Sequence, residues 1–401
     1  MKTGIIGFGK MGSAIFKLFS EHADSIRVVT ETENQADEAR TGFFKKLEKA
    51  VNRGVYPQEV LEEKKERIRF SHCLNTVSDC DMIIEATFES LDVKSQLLHQ
   101  LEPLVSTEAI LLTNTSSLSI NSMSNHLNHP HRFCGYHFFY PISLIDIVEI
   151  IVSKHTDLEL VTRLKQIAAS ISKNAIVVQD APGSVINAIL AYYYAEALYI
   201  LEEGLLPPSQ IDTIARQFCY VGPCESLDVI GIDFFLSALM NIIHQGTVYP
   251  ICWNSTTKKA DKADFPYPLL FDPLISANRL GRKTNNGIYL YEKGIPVDDA
   301  MMFYSRNKTM TSFSALTTTE DIVSQRLFYG IINGAMFSYK MGMASSHDIN
   351  LGVKKVLHMK KGPFELVQEI GIDKVKDTFR HLHDTVGIRF DPKNVTASEH
   401  I

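Results

Sequence analysis

The sequence holds no apolar run near the ~20 residues that would span a bilayer, no tract of disordered composition and no C-x-x-C pair. Its six cysteines, Cys73, Cys80, Cys134, Cys219, Cys224 and Cys252, lie far apart except for Cys219 and Cys224. That spacing argues against both a zinc site and a disulfide framework, and fits reduced thiols in a cytoplasmic protein. Charge of one sign is not in excess either, with 40 Lys+Arg facing 46 Asp+Glu. The mild acidity argues against a nucleic-acid partner, although a local basic patch could still serve an anionic ligand. The chain opens directly on Lys2-Thr3-Gly4-Ile5-Ile6, so neither secretion nor a membrane partner is expected. What remains is 401 residues, 45% hydrophobic and 21% charged, enough for two or three globular domains.

The first of these is legible at once. Thr3 to Ile6 is a short apolar run, followed by Gly7-Phe8-Gly9-Lys10-Met11-Gly12 and a helical pattern through Ile15, Leu18 and Phe19. In a strand, turn and helix of this kind Gly7 permits the tight turn and Gly9 lets a pyrophosphate approach the backbone. Gly12 brings the helix close to the sheet, so a phosphate meets the helix N-terminus. A second strand, Ile26 to Thr30, ends in Glu31, nineteen residues after Gly12. An acid there can accept both hydroxyls of an adenosine ribose and repels a 2′-phosphate, which points to NAD rather than NADP. The plain alternative is that Glu31 only begins the next helix.

From Glu33 to Arg67 the chain is charged and helical, with Tyr56-Pro57 separating two helices. Lys45, Lys49 and Arg53 recur at i, i+4 and i+8 and share a face; such a face is usually just solvated, but its sign suits a phosphate-bearing substrate. Met82 to Ala86 and Ala109 to Thr113 are uninterrupted apolar runs, as in strands covered on both sides. Ligands bind at the carboxyl ends of such strands, where the polar clusters Glu89 to Lys94 and Asn114-Thr115-Ser116-Ser117 stand. Helix capping would also explain the second cluster. A helix from about Leu158 to Ser172 and a strand near Ala175 to Val178 complete the sheet pattern.

His137-Phe138-Phe139-Tyr140-Pro141 precedes the run Leu144 to Val152, in which Glu149 falls on the same side as Ile145, Ile147 and Ile151. That side is expected to be buried. A buried carboxylate needs a partner, and a histidine on a neighbouring strand can face it with one ring nitrogen and keep the other for chemistry. In isolation such a pair is more often a satisfied core histidine and a solvated edge glutamate, and the surrounding motifs reverse that balance.

Taken in order, Gly7 to Gly12, Glu89-Ser90-Leu91-Asp92-Val93-Lys94, Asn114 to Leu118, His137-Phe138-Phe139, Val148-Glu149 and Asp180-Ala181-Pro182-Gly183 resemble the motif set of the 3-hydroxyacyl-CoA dehydrogenase family over essentially the whole chain. The resemblance implies a Rossmann-type α/β domain at 1–180, followed by all-α domains. After Pro182-Gly183 the period is helical through Ile186, Ile189, Leu190, Tyr193 and Ala197. Gly222 to Asp233 is echoed by Gly362 to Asp373, with seven of twelve positions identical, and Gly204 matches Gly342. This is an internal duplication: helical copy 1 at 184–292 and copy 2 at 318–395, with the polar loop Asn254 to Asp264 and the segment Leu280 to Thr284 between the repeated motifs. A second copy can cover an apolar face of the first, so the chain is expected to be a monomer or a homodimer.

By the same resemblance His137 is the general base on the 3-hydroxyl of an acyl-CoA thioester. Glu149 orients its ring and stabilises the imidazolium, Ser116 bonds the substrate hydroxyl, and Asn187 reaches the substrate from the first helix after the break. The implied cofactor set adds Met11, Glu89, Lys94, Ser116, Tyr140 and Lys283 to Gly7, Gly9, Gly12 and Glu31. Arg53 and Lys49 would meet the CoA phosphates, and no metal is implied. Three positions depart from the pattern: Tyr140 replaces an asparagine, Asp146 a lysine, and Ala188 an arginine. In copy 2 Gln325 stands where copy 1 has Asn187, so that copy reads as structural. The expected reaction is NAD-dependent interconversion of short (S)-3-hydroxyacyl-CoA and 3-oxoacyl-CoA. A carrier-protein thioester, a free hydroxy acid or a silent structural relative are the alternatives.

Overall fold

The computed structural model describes residues 1–181, 183–244, 268, 270–299, 318–387 and 389–395. Pro182, Cys252 and the loop Asn254 to Asp264 lie outside them. The chain divides into two compact units, Met1–Asp180 and Ala181–Ile401.

The first unit is organised by eight strands: β1 (Lys2–Ile6), β2 (Ser25–Val29), β3 (Ile68–Ser71), β4 (Met82–Glu85), β5 (Ile110–Thr113), β6 (Phe133–Phe138), β7 (Ile147–Val152) and β8 (Asn174–Gln179). They form one sheet in the order β3-β2-β1-β4-β5-β6-β7-β8, parallel throughout except where β7 runs antiparallel to β6. Helices α1 (Lys10–Phe19), α2 (Glu33–Asn52), α3 (Gln58–Arg67), α4 (Leu91–Leu101), α5 (Ile120–Ser124) and α6 (Leu158–Ser170) connect them. Strands β4, β5 and β6 are buried at every residue, as a sheet covered on both faces requires. One face packs Ile5, Val28, Ile84, Leu112 and Tyr136 against Phe16 and Phe19 of α1 and Leu164 of α6. Burying each such side chain contributes about 1.5–3 kcal/mol. The break at Tyr56-Pro57 falls between α2 and α3, with Pro57 as the N-cap of α3.

Two points differ from the sequence expectation. Strand β3 follows α3 without an intervening turn signal, and β7 starts at Ile147, so Ile145 lies outside it and is half-buried. Glu149 is fully buried because both faces of β7 are covered along Ile147–Ile151, not because alternation favours one side.

The second unit holds α7 (Val185–Glu202), α8 (Pro208–Ala215), α9 (Pro223–Ile230), α10 (Ile232–His244), α11 (Phe271–Ser276), the hairpin β9 (Tyr289–Glu292) and β10 (Ile295–Asp299), then α12 (Thr319–Lys340), α13 (Ser346–Leu357), α14 (Pro363–Ile370) and α15 (Ile372–Val386). The helices before and after the hairpin repeat the same local solutions. Asp212 on α8 accepts the backbone N–H groups of Cys224 (2.8 Å) and Glu225 (3.0 Å), capping α9. Asn350 on α13, 138 residues later, accepts Phe364 N–H at 2.8 Å and caps α14. The caps lie so close that a Cβ on Gly222 or Gly362 would sit 2.4 Å from Asp212 or Asn350. Asp228 on α9 has its own task, accepting Ile288 N–H, Tyr289 N–H and the Tyr291 hydroxyl to fasten the hairpin.

Candidate active site

The site is built where β6 and β7 pair. Their antiparallel register sets His137 opposite Glu149, and His137 Nδ1 lies 2.7 Å from Glu149 Oε2. The histidine is 5% exposed and the glutamate 0%. A carboxylate this deep is strongly unfavourable without a counter-group, so the pair is held by burial as well as by the hydrogen bond. Phe139 packs edge-on against the imidazole at 4.6 Å between ring centres. Among the described residues nothing forms a hydrogen bond to Nε2, the nitrogen that remains for a proton.

The end of β5 secures the neighbouring strand. Asn114, at the start of the serine cluster, accepts the Phe138 N–H through Oδ1 at 2.9 Å. Beside it Glu89 gathers the cluster: its Oε1 accepts the Thr115 hydroxyl at 2.5 Å, the Ser117 hydroxyl at 3.0 Å and the Ser116 N–H at 3.2 Å. Ser116 itself is half-buried. Lys94 differs from the expectation that it lines the cofactor, because it is 1% exposed and lies beneath this layer. It donates to both oxygens of Glu85 at 2.8 and 2.9 Å. Glu85, at the end of β4, also accepts the hydroxyls of Thr113 and Thr87. The lysine therefore offsets a buried carboxylate and supports Glu89 from 3.5 Å.

The glycine turn fits a dinucleotide pyrophosphate. Gly7 has φ +95°, and a Cβ on Gly12 would lie 2.0 Å from the Gly7 carbonyl oxygen, so only glycine allows α1 to sit this close. A Cβ on exposed Gly9 would instead meet nothing within 4 Å, leaving open space before the helix. Gly9 caps α1 without a side-chain acceptor, and the first turn has no acidic residue. Its backbone N–H groups and dipole remain available to an anion. Met11 is half-buried, and Glu31 is exposed just past β2, its N–H donating to the Gln35 side chain rather than its carboxylate being consumed there.

Tyr140 is 48% exposed, and Lys10 at the start of α1 stands 4.0 Å over its ring. The loop behind it is pinned by a residue that sequence reasoning missed: buried Lys173 donates to the carbonyls of Ile142 and Ile145. Burial lowers the Lys173 pKa, partly offset by Asp146. Asp180 of the Asp-Ala-Pro-Gly motif accepts the Ile120 and Asn121 N–H groups and the Ser119 hydroxyl, capping α5. Lys49 and Arg53 are exposed at the end of α2. In the second unit Asn187 is half-buried in the first turn of α7, and Lys283 is bound to Asp233 at 2.5 and 2.6 Å. No cluster among the described residues could hold a metal ion, and no described helix is long and apolar enough to cross a membrane.

Comparison with known proteins matches residues 2–181 to the model of the 3-hydroxyacyl-CoA dehydrogenase NAD binding domain, and residues 183–291 and 322–399 to that of the 3-hydroxyacyl-CoA dehydrogenase C-terminal domain. A 3-hydroxybutyryl-CoA dehydrogenase of Bradyrhizobium diazoefficiens is 32% identical over 301 residues, covering 74% of this chain and 97% of that one. A 3-hydroxybutyryl-CoA dehydrogenase of Clostridioides difficile is 30% identical, with 73% and 100% covered. The solved structure of 3-hydroxybutyryl-CoA dehydrogenase from Escherichia coli K12 shares the fold, with a TM-score of 0.80 at 21% identity over 98% of this chain and 96% of that one.

Proposed function

We propose, from the premise that this chain belongs to the 3-hydroxyacyl-CoA dehydrogenase family, that its substrates are short (S)-3-hydroxyacyl-CoA thioesters such as 3-hydroxybutyryl-CoA. Its activity is the NAD-dependent interconversion of 3-hydroxyacyl-CoA and 3-oxoacyl-CoA. NAD, when bound, supplies the nicotinamide that takes up hydride from C3.

The chain's own residues supply the proton chemistry and the alignment. His137 takes the proton of the 3-hydroxyl on Nε2 and returns it in the reverse direction. Glu149 holds Nδ1 protonated, fixes the ring plane and balances the imidazolium while it exists. Ser116 hydrogen-bonds the substrate hydroxyl and Asn187 reaches towards the substrate. Glu89 keeps the Ser116 backbone in place, while Glu85 and Lys94 keep Glu89 in place. The turn from Gly7 to Gly12 with Met11 receives the pyrophosphate, Glu31 the adenosine ribose, and Tyr140 and Lys283 are assigned to the nicotinamide side of the cofactor. Arg53 and Lys49 offer charge to the CoA phosphates. Residues 1–180 act as the cofactor domain, and 184–292 and 318–395 as two copies of one helical domain.

The observation that carries these roles is the 2.7 Å contact between His137 and fully buried Glu149 on facing strands. The test is oxidation of NADH with acetoacetyl-CoA, run beside acetoacetyl on a carrier protein and free acetoacetate. Turnover with the CoA ester well above the other two is expected. Faster turnover of either alternative overturns the substrate assignment, and no turnover of any overturns the catalytic one.

A further inference from the structure

In the helical unit the buried Arg326 on α12 and Glu196 on α7 form an ion pair on one side of a near-symmetric contact between these helices. Residues of α7 correspond to residues of α12 138 positions later, as the matched turns at Gly204 (φ +67°) and Gly342 (φ +66°) show. Gly330 corresponds to Tyr192, and the two face each other: a Cβ on Gly330 would lie 3.6 Å from the Tyr192 carbonyl oxygen. A residue that meets its own counterpart marks a pseudo-twofold axis. Every contact on one side of that axis therefore has a counterpart on the other.

The counterparts are unlike. On one side Arg326, 0% exposed, donates through Nε to Glu196 at 2.6 Å and through its terminal nitrogens to Glu203, the nearer at 2.5 Å. Arg389 joins from the chain's end, with Nε 2.9 Å from Glu196. The counterpart of Arg326 is Ala188, that of Glu196 is Gly334 and that of Glu203 is Met341. None of these three described counterparts carries a charge, and the helices approach closely: a Cβ on Gly334 would lie 2.9 Å from the Ile189 Cα.

We infer that this face is keyed to accept one α7 and one α12, so its partner is the other helical half and never a second copy of the same half. Pairing α7 with the α7 of another chain would set Ala188 opposite Glu196 twice, leaving the buried Glu196 of both chains without the Arg326 guanidinium. Pairing α12 with α12 would bury Arg326 opposite Gly334. Each arrangement strands a buried charge, which is strongly unfavourable. Like-with-like pairing through this surface is thus refused by charge, although the two halves are alike in shape.

The full-length chain tests this by sedimentation velocity and thermal melting. Arg326→Ala removes the key and offers no other lock, so it should stay monomeric through this face and melt lower than wild type. Ala188→Arg combined with Arg326→Ala moves the key from α12 to α7, and should raise the sedimenting mass twofold with rising concentration. Wild-type melting of Arg326→Ala, or a double variant whose mass matches the single one, overturns the inference. If the double variant does not fold, Tyr192→Cys in the otherwise unchanged chain gives a second measurement. Position 192 lies on the axis, so α7–α7 pairing would produce a disulfide between chains under oxidation. None is expected, and its formation overturns the proposal.

Discussion

The two glycines that flank the start of α1 should separate when each is replaced by alanine. At Gly12 the new Cβ would lie 2.0 Å from the Gly7 carbonyl oxygen and 2.9 Å from its carbon, whereas ordinary contact begins near 3.4 Å. The helix must therefore move by more than 1 Å against backbone, which cannot rotate away. Overpacking of this kind costs about 1–3 kcal/mol, while alanine inside a helix returns at most about 1 kcal/mol of propensity. The steric term wins, and a net loss of about 1–2 kcal/mol corresponds to roughly 2–8 °C in Tm for a unit of this size. At Gly9 the backbone is ordinary (φ −71°) and the Cβ meets nothing, so Gly9→Ala should keep the wild-type Tm. It fills the space that a pyrophosphate would use, and NADH affinity should fall about tenfold or more, about 1.4 kcal/mol. Differential scanning calorimetry and NADH titration of both variants measure the two effects separately. Wild-type melting of Gly12→Ala refutes the close-approach argument, and wild-type NADH affinity of Gly9→Ala refutes the placement of the phosphate.

His137→Ala should abolish turnover and leave NADH binding nearly intact, and Glu149→Gln, which keeps the shape but not the charge, should lose less; single-turnover kinetics with fluorescence-detected NADH binding check both. Glu31 sets NAD preference through charge-assisted bonds of about 1.5–3 kcal/mol, so Glu31→Ser should narrow the gap between NADH and NADPH, and equal affinity in the unmodified chain would contradict it. Asp228 gives a pH dependence: burial pushes its pKa up to about 6 from an ordinary 3.8, despite the Tyr289, Ile288 and Tyr291 donors. A carboxyl raised on folding stabilises fully below about pH 4 and loses that contribution as pH climbs through 6, here about 3 kcal/mol for roughly two pH units. Melting at pH 5 and pH 7.5 should show a steeper fall for wild type than for Asp228→Asn, and parallel curves would discount the titration.

Much of the architecture was legible because its signals are local. The glycine turn, the apolar runs of β4 and β5 and the Pro-Gly break each state their conformation within a few residues. Strand β3 was not legible: Ile-Arg-Phe-Ser directly follows the charged α3 without glycine or proline, and only pairing with β2 makes it a strand. The hairpin of β9 and β10 depends likewise on Asp228, about sixty residues earlier. The His137–Glu149 contact could be anticipated because a glutamate in an apolar run demands a partner. Glu85 made the same demand, and Lys94 nine residues on could answer it, yet by sequence alone that lysine looked like a surface ligand. The roles of Lys173 and Asp180 rest on carbonyls and amides that no side-chain pattern records.

Within the eight-stranded sheet, the antiparallel join of β6 to β7 fixes the site by register. Because β6 and β7 are adjacent in the chain, the histidine and its glutamate stand twelve positions apart, and their alignment is decided by the count of residues in a single hairpin. Slipping that hairpin by one residue would turn the two side chains to opposite faces; a gradual misalignment is not available. The pairing is also short-range in sequence, so it can form before the distant parallel strands close. The glycine turn, by contrast, brings Gly7 against Ala86 as well as Gly12 against Gly7, and so depends on a contact much farther apart in the chain.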